Sequence, residues 1–191
     1  MTIFEYMSVA SSLIVALTFA QGLKGLRSVL DRERRYWVHA LWLFIKLANP
    51  IIFWWAMWSY HDYPEYWNMA HFTVVLVVPS LMYLQVFSLV SEAPHLVTSW
   101  REHFYSQHKW FFGLNILLGV LVSIQFLNIF DPAPILILPT VVYGIITVLS
   151  IAGYASENPK LHAFIALFVG GFTFIYYWIV TFTPITLPRG G

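Results

Sequence analysis

A lysine stands inside one of the most apolar segments of the chain, residues 43–58, which read LFIKLANPIIFWWAMW. Counted from Tyr36 at about 1.5 Å per residue, Lys46 lies roughly 15 Å along its predicted helix, near the middle of a ~30 Å hydrocarbon core. An ammonium at that depth costs about 2.5–3.5 kcal/mol on insertion scales, so it needs a partner or a function. Three interpretations of Lys46 follow: a lysine that burial keeps neutral, a structural donor to Asn49, carbonyls and hydroxyls, or a site that binds an anion, a proton, a small polar solute or a cofactor.

The residues that share the Lys46 face of the helix are polar or aromatic. His39, Trp42, Lys46 and Asn49 follow one another at spacings of three or four residues, which places them on one side of a helix. Pro50 comes next and has no N–H to bond the Lys46 carbonyl. Lipid cannot satisfy such a face, so we expect it to contact protein or a wet cavity. Asn49 would supply polar contacts, and His39 a gate or a proton relay.

The first apolar segment carries a face that could complement this one. Ser12 and Thr18 lie among small and hydroxyl residues along one side of it. Such residues let two helices approach closely and hydrogen-bond to each other. We expect this face to pack against the polar face of the second segment, so that both helices line one path. The predicted binding residues are Lys46, Asn49, His39, Ser12 and Thr18.

The composition indicates an integral membrane protein. Of the 191 residues, 59% are apolar and only 10% are charged, whereas soluble domains carry about 25% charged residues. Several stretches reach the roughly 20 apolar residues that a spanning helix needs. We predict a single transmembrane domain, an all-α bundle of six transmembrane helices at about 3–23, 36–58, 68–90, 110–130, 134–155 and 162–183.

The basic residues predict the orientation of the bundle. All of the ten Lys and Arg residues except Lys46 and Arg189 follow the first, third and fifth spans. The positive-inside rule puts that side in the cytoplasm, and hence both termini on the non-cytoplasmic side of a plasma or inner membrane. After the third span, Pro94 suits a first helical turn, and Trp100 and Phe104 continue an apolar face. This pattern predicts one short interfacial cytoplasmic helix.

A lone cation at mid-membrane is typical of a transport site. It favours a small multi-pass transporter or channel for an anion, a proton or a small polar solute. The alternative is a non-catalytic subunit or assembly factor of a larger membrane complex, in which the polar face serves packing. The expected partners are the lipid bilayer and either further copies of the chain, forming a homo-oligomer, or that larger complex. A net charge of +1 gives no electrostatic reason to expect nucleic acid.

Residues that could hold a cofactor or perform catalysis are few. The absence of cysteine excludes disulfides, thiolate metal sites and iron–sulfur clusters. HExxH, GxSxG, P-loop and GxGxxG motifs are absent, so catalysis is the least supported class and neither a catalytic residue nor a metal site is predicted. The leading interpretation contains no cofactor. A second alternative is a haem- or chromophore-binding protein, with His39 and His162 at similar depth as haem ligands.

Overall fold

The computed structural model describes residues 2–58, 68–129 and 134–182, and within them leaves out the side chains of 125–129, 134–140 and 180–182. The described residues form six α-helices and no strand. The helices are α1 (Ile3–Val29), α2 (Trp37–Met57), α3 (Met69–Leu89), α4 (Trp100–Ile129), α5 (Pro134–Ala155) and α6 (Pro159–Phe182). The predicted all-helical architecture is therefore confirmed. The predicted outer loops are 61–67 and 131–134, and all of their residues except Pro134 lie outside the described residues.

The lengths of the helices suit a membrane. Five helices are apolar enough and long enough to cross a bilayer, counted over the described residues. The exception is α5, whose side chains are described only over the shorter apolar stretch Val141–Ala155. Large apolar side chains on their outer faces are open to the surroundings, among them Leu13, Leu17, Phe174 and Trp178. Such a continuous apolar exterior is unfavourable in water and favourable in lipid. The fold is consistent with a helical membrane bundle.

The N-terminal part of α4 differs from the prediction. The expected interfacial helix reduces to a single 3₁₀ turn, Pro94–Leu96, and the residues from Trp100 onward belong to α4 itself. Ser99 supplies the start, since its side-chain oxygen accepts from the Glu102 N–H. With neither proline nor glycine in the next three turns, nothing ends the helix there. At about 1.5 Å per residue its 30 residues span roughly 45 Å, longer than a ~30 Å core.

Helices α2 to α6 form a closed ring. Each contacts the next in chain order, and α6 returns to contact α2. α1 packs outside this ring, against α3 and α2, which explains why it is the least buried of the five membrane-length helices. At one end of the ring a cluster of aromatic side chains is almost entirely buried, formed by Trp42, Trp100, Phe104, Phe111 and Phe112. The ring leaves space for a site at its other end.

The connections at the aromatic end are fixed by polar contacts. The Arg34 guanidinium donates to the carbonyls of His95 and Val97 and forms an ion pair with Asp31 at 2.6 Å. Trp100 Nε1 donates to the Ser28 carbonyl at 2.7 Å. The hydrogen bond from Arg34 holds the pKa of the Asp31 carboxyl below its ordinary value of 3.8. The loops after α1 and α3 are thereby held together.

Candidate functional site

A cavity of about 180 Å³ lies inside the ring of α2 to α6. Every helix of the ring contributes to its walls, and α1 contributes nothing. Most of the lining is apolar, from residues such as Phe53, Met57 and Phe172. The polar side chains among the lining residues are Lys46, Asn49, Asn115, Tyr143, Thr173 and Tyr176. Pockets of this kind, apolar with a few polar groups, are the usual form of a small-molecule site.

Lys46 forms the polar end of the cavity. Its side chain is buried, and its Nζ donates to Asn115 Oδ1 at 2.6 Å. Asn115 is itself held by a hydrogen bond from its Nδ2 to the Phe111 carbonyl at 2.8 Å, which turns its oxygen toward the lysine. The rings of Trp42 and Phe111 each lie 5.6 Å from Nζ, within the range of a cation–π contact. The partner that the sequence alone does not identify for Lys46 is therefore Asn115 of α4.

These contacts leave N–H donors of Lys46 without a partner among the described residues. An ammonium carries three N–H donors, and the hydrogen bond to Asn115 uses one. Within the part of the chain that the structure describes, Nζ has no carboxylate within ion-pair distance. Among the described residues, the Lys46 nitrogen therefore contacts a neutral amide and two ring faces. A solute in the cavity that accepts hydrogen bonds would find free donors on this nitrogen.

The cavity runs from Lys46 toward one end of the bundle. Along α2 its lining extends from Lys46 to Met57, which is about 16 Å at 1.5 Å per residue. Along α6 it extends from Val169 to Tyr176, again toward the C-terminal end of the helix. Lys46 thus lies at the inner end of the cavity, where the aromatic cluster begins. One half of the bundle holds space and the other is filled with rings.

The predicted binding residues are only partly brought together. Lys46 and Asn49 both line the cavity. Ser12 and Thr18 do not, because α1 lies outside the ring and their hydroxyls donate to carbonyls of their own helix, Val9 and Ile14. α1 does contact α2, as expected, but through close approaches such as that of Gly22 to Leu47. The polar face of α1 and the cavity are separate features.

His39 lies in the aromatic half, away from the cavity lining. It is fully buried, and its Nε2 donates to the Leu89 carbonyl at 2.8 Å. Leu89 is the last residue of α3, so its carbonyl has no partner within the helix. His39 therefore closes the C-terminal end of α3, a structural task that the sequence does not reveal.

His162 performs the same task on the next hairpin. Its Nε2 donates to the Ser156 carbonyl at 2.6 Å, immediately after the end of α5. His39 and His162 each pair with a different histidine of α4: His39 with His103 and His162 with His108, both at 5.8 Å between ring centroids. The ring of Phe104 contacts both, at 6.1 Å from His39 and 5.4 Å from His162. One aromatic side chain thus contacts both histidines that the haem alternative names.

Sequence reasoning missed the residues that other helices contribute to the site. Asn115 is the most important of these, followed by Tyr143 and Tyr176, which line the cavity from α5 and α6. A signal for Asn115 exists, because an amide within an apolar span at mid-depth needs a partner as much as Lys46 does. Periodicity along one helix cannot, however, say which other helix that face meets.

Comparisons of the chain with protein-family models, with curated proteins and with solved structures found no match. Its function is therefore inferred from the chemistry of the residues described above.

Proposed function

We propose that this protein is a small multi-pass transporter or channel for a monoanion with an apolar body, such as an aromatic or short aliphatic carboxylate. The observation that carries the proposal is the cavity whose inner end is the Lys46–Asn115 pair. The free donors of Lys46 would bind the carboxylate, and the apolar walls would surround the rest of the molecule. A buried cation of this kind within a membrane segment is by default a functional group.

The size of the cavity supports this class of solute. A cavity of about 180 Å³ is close to the engineered ~150 Å³ cavity that holds benzene in another protein. A single benzene ring with one small anionic group is therefore near the upper limit of what fits. Multiply charged solutes are disfavoured, because Lys46 is the cation among the described lining residues and the other described walls are apolar or neutral. Benzoate has the right charge, shape and size to serve as a probe.

The proposed topology gives the cavity a direction. We propose six membrane spans with both termini on the non-cytoplasmic side of a plasma or inner membrane. The basic residues after α1, α3 and α5 support this orientation, since eight of the ten lie at the aromatic end of the bundle. The cavity, which runs toward the opposite end, would then receive solute from outside the cell. The aromatic cluster would close the cytoplasmic half and open during transport.

Uptake into proteoliposomes tests the proposal. Radiolabelled benzenesulfonate is a suitable probe, because it stays charged and does not leak through lipid as a neutral acid. We expect wild-type protein to take it up, and Lys46→Met to lose at least tenfold of the rate. Lys24→Met is the matched control, because Lys24 is exposed at the end of α1 and should leave uptake unchanged.

Two results would contradict the proposal. One is uptake by wild-type protein no faster than by protein-free liposomes. The other is equal uptake by wild type and Lys46→Met. If wild-type protein takes up nothing and also purifies with a partner protein in constant proportion, the subunit or assembly-factor alternative replaces transport.

A further inference from the structure

Four histidines in the aromatic half of the bundle each bury a ring nitrogen that has no hydrogen-bond partner in the described part of the chain. Three of them donate to a backbone carbonyl through the other ring nitrogen: His39 to Leu89, His108 to Tyr105 and His162 to Ser156. These atoms are His39 Nδ1, His103 Nε2, His108 Nε2 and His162 Nδ1. The repetition across three helices makes this more than one poorly satisfied side chain.

The chemistry of these contacts fixes what the free nitrogens offer. A carbonyl oxygen can only accept a hydrogen bond, so the nitrogen that faces it must carry the proton. In a neutral imidazole the second nitrogen then holds a lone pair. His39 and His103 lie with ring centroids 5.8 Å apart, and so do His108 and His162. The His108–His162 pair therefore buries two free acceptors, and His39 adds a third beside His103, an arrangement that water molecules or a proton would satisfy.

Further unpartnered polar atoms lie between the histidines and the cavity. Trp42 Nε1 is buried without a hydrogen bond, and it is one turn along α2 from His39 toward Lys46. On the neighbouring helix α3, both amide atoms of Gln85 are also buried and unpartnered, one turn before Leu89. Because α3 runs opposite to α2, Gln85 lies at about the level of Trp42. Lys46 and Met82 follow at the next level, where both line the cavity.

We propose that the paired histidines, Trp42 and Gln85 hold a chain of water molecules that carries protons between the histidine end of the bundle and Lys46. Buried polar groups without a partner cost roughly 1–3 kcal/mol each, and ordered water is their usual remedy. Imidazoles then pass a proton along such a chain by exchanging the protonated nitrogen. The role of this proton path rests on the proposed function, since solute movement through the cavity would be linked to proton movement.

Ionisable groups mark where the chain of water would begin. Tyr36 and Tyr105 are linked through their hydroxyls at 3.3 Å, and the Tyr105 ring lies 5.4 Å from His162. Arg101 and Glu157 act electrostatically on this group from α4 and from the loop before α6. The Glu157 side chain is exposed, so it can exchange protons with the surrounding water. Protons would enter here through the Tyr36 and Tyr105 hydroxyls and reach the histidine pairs along the proposed water molecules.

Proton flux into proteoliposomes loaded with a pH-sensitive dye tests the inference. A potassium gradient with valinomycin sets a membrane potential, negative inside, that drives protons into the liposomes. The flux is measured with and without a benzenesulfonate gradient. We expect wild-type protein to acidify the lumen in at least one condition, and His39→Gln or His103→Gln to reduce the rate at least tenfold. His95→Gln is the matched control, because His95 is exposed on the loop before α4 and should leave proton flux unchanged.

The outcomes separate this inference from the proposed function. Benzenesulfonate uptake without proton movement in either condition would overturn the proton path and leave transport standing. Proton movement that depends on His39 and His103, but without benzenesulfonate uptake, would support the proton path and contradict the proposed transport of a monoanion. Equal proton flux in wild type, His39→Gln and His103→Gln would overturn the path. A monodisperse elution profile for each variant excludes misfolding as the cause of a loss.

Discussion

The two halves of α2 bury polar side chains in opposite kinds of surroundings. Toward its C-terminal end, Lys46 and Asn49 face a cavity with apolar walls. Toward its N-terminal end, His39 is packed among rings, with Trp100 at 5.0 Å and Phe104 at 6.1 Å between centroids. One half has space and a single cation. The other half has dense packing and several nitrogen lone pairs.

Under the two proposals, this difference gives the halves separate tasks. The space next to Lys46 would hold the solute, and the aromatic half would hold only single water molecules that carry protons. Lys46 lies at the boundary, since it touches the Trp42 and Phe111 rings on one side and the cavity on the other. We therefore expect substitutions beside the cavity to reduce solute uptake, and substitutions among the histidines to reduce proton flux.

The largest effect is expected from removing the partner of Lys46. Asn115→Leu leaves a buried ammonium with two ring faces and no hydrogen bond, so we expect a loss of about 1–3 kcal/mol or more in the free energy of unfolding. Lys46→Met combined with Asn115→Leu removes charge and partner together and should be more stable than Asn115→Leu alone. Thermal unfolding in detergent of the wild type, Lys46→Met, Asn115→Leu and the double variant measures this coupling. Additive losses would show that the two side chains do not depend on each other.

The packing of the two halves can be compared through two glycines. A Cβ at Gly153 would lie 2.7 Å from Phe112, in the aromatic cluster, where neighbours cannot move, so we expect Gly153→Ala to cost about 1–3 kcal/mol. At Gly119, beside the cavity, a Cβ would overlap with the hydroxyl of Thr147, a side chain that can rotate. Gly119→Ala should therefore cost less. Gly144→Ala is the control, because nothing lies within 4 Å of its Cβ position. A larger loss at Gly119 than at Gly153 would contradict the comparison.

Gln85 distinguishes a functional polar group from a structural one. Its amide atoms have no hydrogen-bond partner in the described chain, so Gln85→Leu should leave the unfolding temperature unchanged or raise it slightly. Proton flux should nevertheless fall, because the change removes a polar step beside Trp42. Gln107→Leu, at a partly exposed position on α4, is the matched substitution. A clear drop in stability would show instead that the amide has a structural role.

The smallest effect is expected at the Asp31–Arg34 pair outside the membrane. The hydrogen bond from Arg34 lowers the pKa of Asp31, so the pair stabilises the fold above the ordinary carboxyl value of 3.8. That contribution is lost as the pH falls through the lowered pKa of the folded state. Asp31→Asn should thus reduce the unfolding temperature slightly at pH 7, and the difference from wild type should shrink in acid. A difference that grows in acid would have the wrong sign.

The sequence predicts some parts of this molecule well and others not at all. Helix positions follow from hydropathy, and the shared face of Lys46 and Asn49 follows from the 3.6-residue period, because both depend on local pattern. Asn115 and Gln85 could not be assigned, because their roles depend on which helices become neighbours. Ser12 and Thr18 are wrongly predicted to line the site for the same reason. They do lie on one side of α1, but α1 packs outside the ring that encloses the cavity.

The central claim is that the cavity binds a monoanion through Lys46. Calorimetric titration of benzoate into protein in lipid nanodiscs tests it most directly, with Lys46→Met and Lys24→Met as the paired variants. A charge-assisted hydrogen bond is worth about 1.5–3 kcal/mol, so we expect benzoate affinity to fall about tenfold to a hundredfold in Lys46→Met and to be retained in Lys24→Met. Benzyl alcohol, which lacks the charge, should bind both variants equally. Benzoate binding that is undiminished in Lys46→Met would contradict the claim.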